Sequence, residues 1–164
     1  MAENAAAKSG EGPESLLNLS GLEAMKLLIA GGHPPPSIAL TLGFTLTEVG
    51  DGRAVFVGDP SDRVLNPLGI VHGGYALTLI DSCTGCAAHT TLPAGVGYTT
   101  VETKVNFVRA ITPATGPVTA EGVVVARGRT IITAEGKLTD SRGRLLAHGS
   151  STLMVLRKEG KSSQ

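Results

Sequence analysis

Small and apolar residues recur at Ala76, Ile80, Cys83 and Ala87, in steps of four, three and four, which is the period of an α-helix. Leu77, Leu79, Cys86 and Ala88 widen that stripe until little polar face is left, and a helix apolar nearly all round is a buried one. The segment opens after Asn66-Pro67-Leu68-Gly69, turns at His72-Gly73-Gly74 and ends before Pro93. Residues 73–92 therefore predict one helix about 30 Å long, enough to cross a small domain. Asp, His and several Thr and Gly inside it argue against a membrane span.

Elsewhere the period is two. Leu40, Leu42, Phe44 and Leu46 alternate with Thr and Gly and predict a strand, followed by a turn at residues 49–52 and a second strand over 53–57. Beyond the helix, residues 97–108 form a long strand, with Val101, Thr103, Val105 and Phe107 on one side and Glu102, Lys104 and Asn106 on the other. Strands over 118–126, 130–138 and 145–156 follow, separated by turns at Arg127-Gly128-Arg129 and Asp140-Ser141-Arg142-Gly143. Upstream, Ser20 with Glu23 three residues on is a capping box, and Leu22, Met25, Leu28 and Ile29 form the stripe of a short packing helix. Gly31-Gly32 ends it and Pro34-Pro35-Pro36 makes a stiff connector. Strands grouped around a segregated helix indicate an α+β fold, a curved antiparallel sheet wrapped around one long central helix. The expected division is a disordered tail over 1–14, helix and Pro linker over 15–36, the main domain over 37–157 and a loose tail over 158–164.

At 164 residues the chain suits a single core. Its acidic and basic residues balance, so nothing favours nucleic acid or an anionic membrane, and 3% aromatics leave no platform for stacking bases. The N-terminal residues have no basic start followed by an apolar run, so the expected location is cytoplasmic. There is no GxxxxGK[ST] or GxGxxG motif. Cys83 and Cys86 form a C-x-x-C with His89 after it, but a redox pair belongs at an exposed helix start and zinc would need further ligands. Both read as small core residues, and no metal or redox cofactor is implied.

Asp81 is the only formally charged residue between Gly73 and Leu92. A carboxylate in an apolar helix is costly unless paired or hydrogen-bonded, so it either caps a neighbouring loop, meets an Arg, or does chemistry.

Asn66, the run Gly69 to Gly74 with its His-Gly-Gly, Asp81 nine positions after His72, and the strand Thr99 to Arg109 together resemble the hotdog-fold acyl-CoA thioesterases of the phenylacetate-pathway and 4-hydroxybenzoyl-CoA type. The resemblance covers residues 40 to 156. It implies an acyl-CoA thioester hydrolase acting on an aryl, arylacetyl or medium-chain acyl group. It also implies a homodimer, with a homotetramer frequent among such families, in which Asn66 and His72-Gly73 of one subunit face Asp81 of the other. Helical geometry agrees: nine residues place His72 and Asp81 about 13 Å apart along the axis and about 180° around it, too far for one site within a subunit. On this reading the Gly73 N–H polarises the thioester oxygen, beside Gly74, and Asp81 acts as general base or nucleophile. Asn66 orients water or thioester, and Thr100 or Thr99 hydrogen-bonds the carboxylate or water. Strand parity favours Thr99 unless the strand begins with a bulge. His72 either fixes its loop through the backbone or takes a direct part. For the nucleotide end of coenzyme A, the turn Arg127-Gly128-Arg129-Thr130 and then Arg109 are candidates, the alternative being an ordinary hairpin turn with solvated charges. Gly85, where some aryl-CoA members carry a hydroxyl, and Arg109-Ala110 in place of Arg-Pro are departures from the family pattern. A non-catalytic acyl-CoA binding protein and a hotdog hydratase or dehydratase are the other readings, and the lone acid favours the hydrolase.

Overall fold

The computed structural model describes residues 16–157, so the tails expected at 1–14 and 158–164 lie outside the described residues. The elements run α1 (Gly21–Ile29), α2 (Ser37–Leu42), β1 (Phe44–Gly50), β2 (Arg53–Gly58), α3 (Gly73–Thr90), β3 (Val96–Phe107), β4 (Val118–Arg127), β5 (Ile131–Asp140) and β6 (Leu145–Arg157). The six strands form one antiparallel sheet in the order β1-β2-β4-β5-β6-β3. The sheet wraps α3, which packs on every strand. This is the hotdog architecture.

Why α3 sits so deep is written in three glycines. Gly122 on β4 pairs with Gly136 on β5, which pairs with Gly149 on β6, so a glycine row crosses the sheet. A Cβ on Gly122 would run into the Cys83 backbone, and one on Gly149 into the Lys104 carbonyl. One on Gly136 would stand 3.2 Å from Cys83 Sγ and from Ile80. At Gly122 the helix backbone meets the strand directly, at Gly136 and Gly149 the Cys83 and Ile80 side chains reach the strand backbone, and Ala76, Leu79, Ile80, Cys83 and Ala87 are essentially inaccessible.

The predicted capping box holds α1: Glu23 accepts from Ser20 N at 2.9 Å, and Ser20 Oγ caps the Glu23 N–H. The helix packs on β1 and α3, with the Gly21 N–H bonded to the Leu92 carbonyl at 2.9 Å.

One element differs from expectation. Residues 40–42, whose Leu-Thr-Leu alternation predicts strand, belong to the short helix α2. Extended Pro36 precedes it, and Gly43, at φ 70°, closes it by donating to the Ala39 carbonyl at 2.9 Å. These two terminal signals override an alternation only a few residues long. Ala39 is then buried, while Ile38 and Leu40 face outward.

A second difference lies in β3. Thr100 pairs with Leu153 and Glu102 with Thr152, so Val101 is the extra residue of a β-bulge. The bulge resets the side-chain alternation, and Val101 is 61% exposed instead of facing inward.

Replacing Gly122 by Ala should destabilise the protein by about 1–3 kcal/mol through overpacking against the Cys83 backbone. Gly50→Ala, where a Cβ meets nothing within 4 Å, should change stability by no more than about 0.5 kcal/mol. Chemical denaturation of the two variants checks the contrast.

Candidate active site

Two depressions carry the candidate chemistry. The first, of about 240 Å³, lies at the N-terminal end of α3 and is lined by Asn66, His72, Gly73, Phe107 and Arg109 among others. The second, about 380 Å³, is lined by Ile38, Leu77, Thr78, Asp81 and residues 100–103. They share no residue, so within one subunit Gly73 and Asp81 stay apart, separated by about 12 Å of helix.

In the first depression the loop is built by its own polar groups. Asn66 Oδ1 accepts from the Leu68 N–H at 2.9 Å and the Ile70 N–H at 3.4 Å. That fixes the amide orientation and leaves the Asn66 nitrogen for any ligand. His72 is the N-cap of α3, its Nδ1 accepting from the Gly74 N–H at 2.9 Å. The imidazole is therefore neutral at Nδ1, with its proton on Nε2. The Tyr75 N–H bonds the His72 carbonyl, so of the first-turn donors the Gly73 N–H is the one with no partner among the described residues. The Gly73 Cα lies against the Phe107 ring, where a Cβ would be 3.1 Å from it.

In the second depression Asp81 Oδ1 accepts from Thr100 Oγ1 at 2.9 Å and from Thr103 Oγ1 at 3.0 Å. The bulge at Val101 lets residues three apart on one strand reach the same oxygen. It also resolves the Thr99–Thr100 alternative, because Thr99 is exposed and pairs across the sheet with Met154. Behind Thr103 a buried chain continues to Ser151 Oγ at 3.0 Å and on to Thr84 Oγ1 at 2.7 Å. Thr103 donates to the carboxylate, so Ser151 donates to Thr103 wherever that contact carries a proton, while the Thr84 hydroxyl also reaches the Ile80 carbonyl of its own helix at 2.8 Å. The sequence reading missed Thr103 and Ser151. The signal for Thr103 was its spacing from Thr100 across a bulge, and Ser151 showed only as a polar residue at an inward position of β6.

The arrangement can hold a carboxylate without a cation, with both Thr donors on Oδ1 and no hydrogen bond to Oδ2 among the described residues. Such an oxygen can take a proton from water, or attack a carbonyl itself.

Residues 68–147 match the Thioesterase superfamily. A provisionally named esterase of Saccharolobus solfataricus is 34% identical over 106 residues, 65% of this chain and 74% of that protein. ComA2 of Bacillus subtilis, also provisionally named an esterase, is 30% identical over 122 residues, 71% of this chain and 92% of its own. The chain belongs to the thioesterase superfamily. It is a thioester hydrolase.

Solved structures agree with this thioesterase assignment. AziG from S. sahachiroi is 29% identical with a TM-score of 0.71, covering 76% of this chain and 99% of that one. A phenylacetic acid degradation-related protein from Ralstonia eutropha JMP134, provisionally named a thioesterase, is 27% identical with a TM-score of 0.72, covering 79% and 98%.

The remaining candidate residues of this thioesterase fall in different places. Arg109 lines the Gly73 depression, its Nη1 donating to the Leu145 carbonyl at 2.6 Å. The turn Arg127-Gly128-Arg129-Thr130 lines neither depression. It is exposed and closed by the Gly128 N–H on the Ile131 carbonyl at 2.7 Å. Gly74 has its N–H occupied by His72. Cys83 and Cys86 are both free thiols. Burial pushes the Cys83 thiol well above its ordinary range, and burial with the nearby Asp81 charge pushes Cys86 up to about 12.

With so little thiolate, both cysteines should react with Ellman's reagent at pH 8 at least about a hundredfold more slowly in the native protein than after denaturation. A native thiol that reacts as fast as a denatured one would contradict this packing.

Proposed function

We propose that the protein hydrolyses acyl-CoA thioesters carrying an aryl, arylacetyl or medium-chain acyl group, as a homodimer whose two active sites each draw on both subunits. The observation that carries the reading is the separation of two half-sites. One holds a free Gly73 N–H at a helix N-terminus, the other an Asp81 carboxylate fixed through a single oxygen. Neither is complete alone.

The free margin of the sheet supports the way they meet. β3 is an edge strand of the sheet, with Val101 and Phe107 exposed among polar residues. An unpaired strand edge is a template for pairing. Two copies of β3 related by a two-fold axis near Thr103 and Lys104 would set Phe107, on the wall of the Gly73 depression, opposite Thr100 of the partner subunit. Gly73 and Asp81 from different subunits then line one cleft.

In that cleft the Gly73 N–H and the positive end of α3 stabilise the oxyanion that forms on the thioester carbonyl. Asp81 takes the proton of the attacking water, the C–S bond breaks, and the departing CoA thiolate recovers that proton. Direct attack by Asp81, followed by hydrolysis of the mixed anhydride, is the second route open to the same carboxylate. The Asn66 amide nitrogen orients water or substrate, and His72 acts through the loop it caps. Arg109, beside Gly73, is the nearest cation for CoA phosphates, with the Arg127-Gly128-Arg129-Thr130 turn as the second candidate.

Thiol release from phenylacetyl-, benzoyl- and hexanoyl-CoA by wild type and Asp81→Asn tests the chemistry. The variant should lose at least about a hundredfold in kcat while still binding substrate. Tight binding with no turnover by either protein would replace the hydrolase with a binding protein.

The shared site has its own test. Gly73→Pro removes the oxyanion N–H at the first helical position, where proline is tolerated. Mixing it with Asp81→Asn, each inactive alone, should restore about a quarter of wild-type activity, because half the random dimers carry one intact site. No recovery after verified subunit exchange would place both groups in one subunit.

A further inference from the structure

Helix α3 and strand β3 run side by side as a ladder beside Asp81. Thr103 and Thr100 both reach the Asp81 carboxylate from the strand. Tyr98 is the next inward position after Thr100, and the next turn of the helix brings Gly85 to the face of Asp81, about 40° round from it. The two meet: a Cβ on Gly85 would stand 2.7 Å from Tyr98 Oη and 3.0 Å from its ring. Gly85 is consequently buried, although it lies on the outward face that exposes Leu77 and Asp81. The depression around Asp81 extends to Leu77, Thr78 and Ile38 but not to Gly85.

Tyr98 is also braced. The His89 ring, one turn beyond Gly85, lies against it with centroids 5.6 Å apart. Gly21 of α1 lies close to the His89 backbone, where a Cβ would collide with the His89 carbonyl. The Tyr98 hydroxyl adjoins the Cys86 thiol. Cys86 is in turn part of the wall of a separate apolar cavity lined by Met25, Leu28, Ala39, Phe44 and Phe56.

We propose that Tyr98, seated over Gly85 and braced by His89, is the end wall of the acyl subsite and restricts the enzyme to compact acyl groups. This rests on the acyl-CoA hydrolase reading above. A substrate reacting at Asp81 has two directions to leave it along the helix. Coenzyme A is long and polar and needs an open path to solvent, so it cannot occupy the end that Tyr98 closes. The acyl group takes that end, against an aromatic ring. The depression around Asp81, about 380 Å³, holds a six-carbon chain or a single ring, and Tyr98 closes the path along the helix that a longer chain would need. Removing the ring opens the space above Gly85 toward Cys86 and the apolar cavity behind it.

The test is kcat/KM over a saturated series from butyryl- to palmitoyl-CoA, with phenylacetyl-CoA alongside, for wild type, Tyr98→Ala, Tyr98→Leu and Tyr98→Phe. Wild type should fall off steeply beyond the medium chains. Tyr98→Ala and Tyr98→Leu should each raise the lauroyl-to-hexanoyl ratio by at least about tenfold, the discrimination that a few buried methylenes supply. Tyr98→Phe, which keeps the ring, should retain the wild-type ranking of substrates. Tyr98→Leu keeps an apolar side chain on β3, so the proposal stands or falls on it should the alanine variant not fold. Hydrolysis by wild type with an unchanged chain-length profile in the folded variants would overturn the wall assignment alone. Absence of hydrolysis of every thioester by wild type would overturn the function reading, and the wall with it.

Discussion

The closeness of α3 to the sheet is the constraint on which the rest of the structure depends. Two packed elements normally stand apart by the thickness of their side chains, and here Gly122, Gly136 and Gly149 remove that thickness along one row. The helix sinks until ten of its eighteen residues are buried, including polar Thr84 and Thr90. Its outward strip is left level with the margin of β3. Short side chains on the strand can then reach the helix: Thr100 and Thr103 touch Asp81, and Tyr98 covers Gly85. Were the helix a side chain further out, a threonine could not span the gap.

Asp81 is satisfied without a cation. The ion pairs among the described residues lie elsewhere, Arg53 with Glu48 and Glu121 on the sheet surface and Arg144 with Asp140 at a hairpin. Hydrogen bonds to a charged group contribute about 1.5–3 kcal/mol each, so two hydroxyls offset much of the cost of partly burying the carboxylate. A carboxylate only accepts, so Thr103 donates its proton to Asp81 and can only accept from Ser151. An arginine in place of the hydroxyls would hold the acid more firmly but weaken it as a base. Hydroxyl donors fix one oxygen and leave the other without a hydrogen bond among the described residues, which suits a group that must accept from water.

The fold was legible because its largest signals are periodic. The helical steps from Ala76 to Ala87 and the turns at Gly52, Arg127–Arg129 and Asp140–Gly143 mark elements that recur within two residues of their expected ends. What could not be read was whatever depends on a shift of one residue. Leu40 to Leu42 alternates like a strand, yet Pro36 and Gly43 cap it as a helix. The inward face expected for Val101 fails because that residue is itself the bulge, and nothing in Thr-Thr-Val-Glu-Thr announces one. The partners of Asp81 were half visible for the same reason: Thr100 was named with its dependence on a bulge, while Thr103 and Ser151 needed the register of β3 on β6. The glycine row was equally hidden, since three glycines on three strands become neighbours only once pairing is known.

The hydrogen bonds at the start of α3 show how a residue can matter to chemistry without touching a substrate. A helix leaves its first N–H groups without partners, all pointing the same way. Here the Gly74 N–H is taken by His72 Nδ1 and the Tyr75 N–H by the His72 carbonyl, so one residue disposes of two donors. The Gly73 N–H is left without a partner among the described residues, on a residue that lines the depression, with the helix dipole behind it. The bond to Nδ1 also requires a neutral ring, so His72 is not a proton donor through that nitrogen. A hydratase would need this imidazole to move a proton, but its Nδ1 is engaged in capping its own helix. His72 thus selects the N–H that remains free, and an isolated donor at a helix start is the group a developing thioester oxyanion requires.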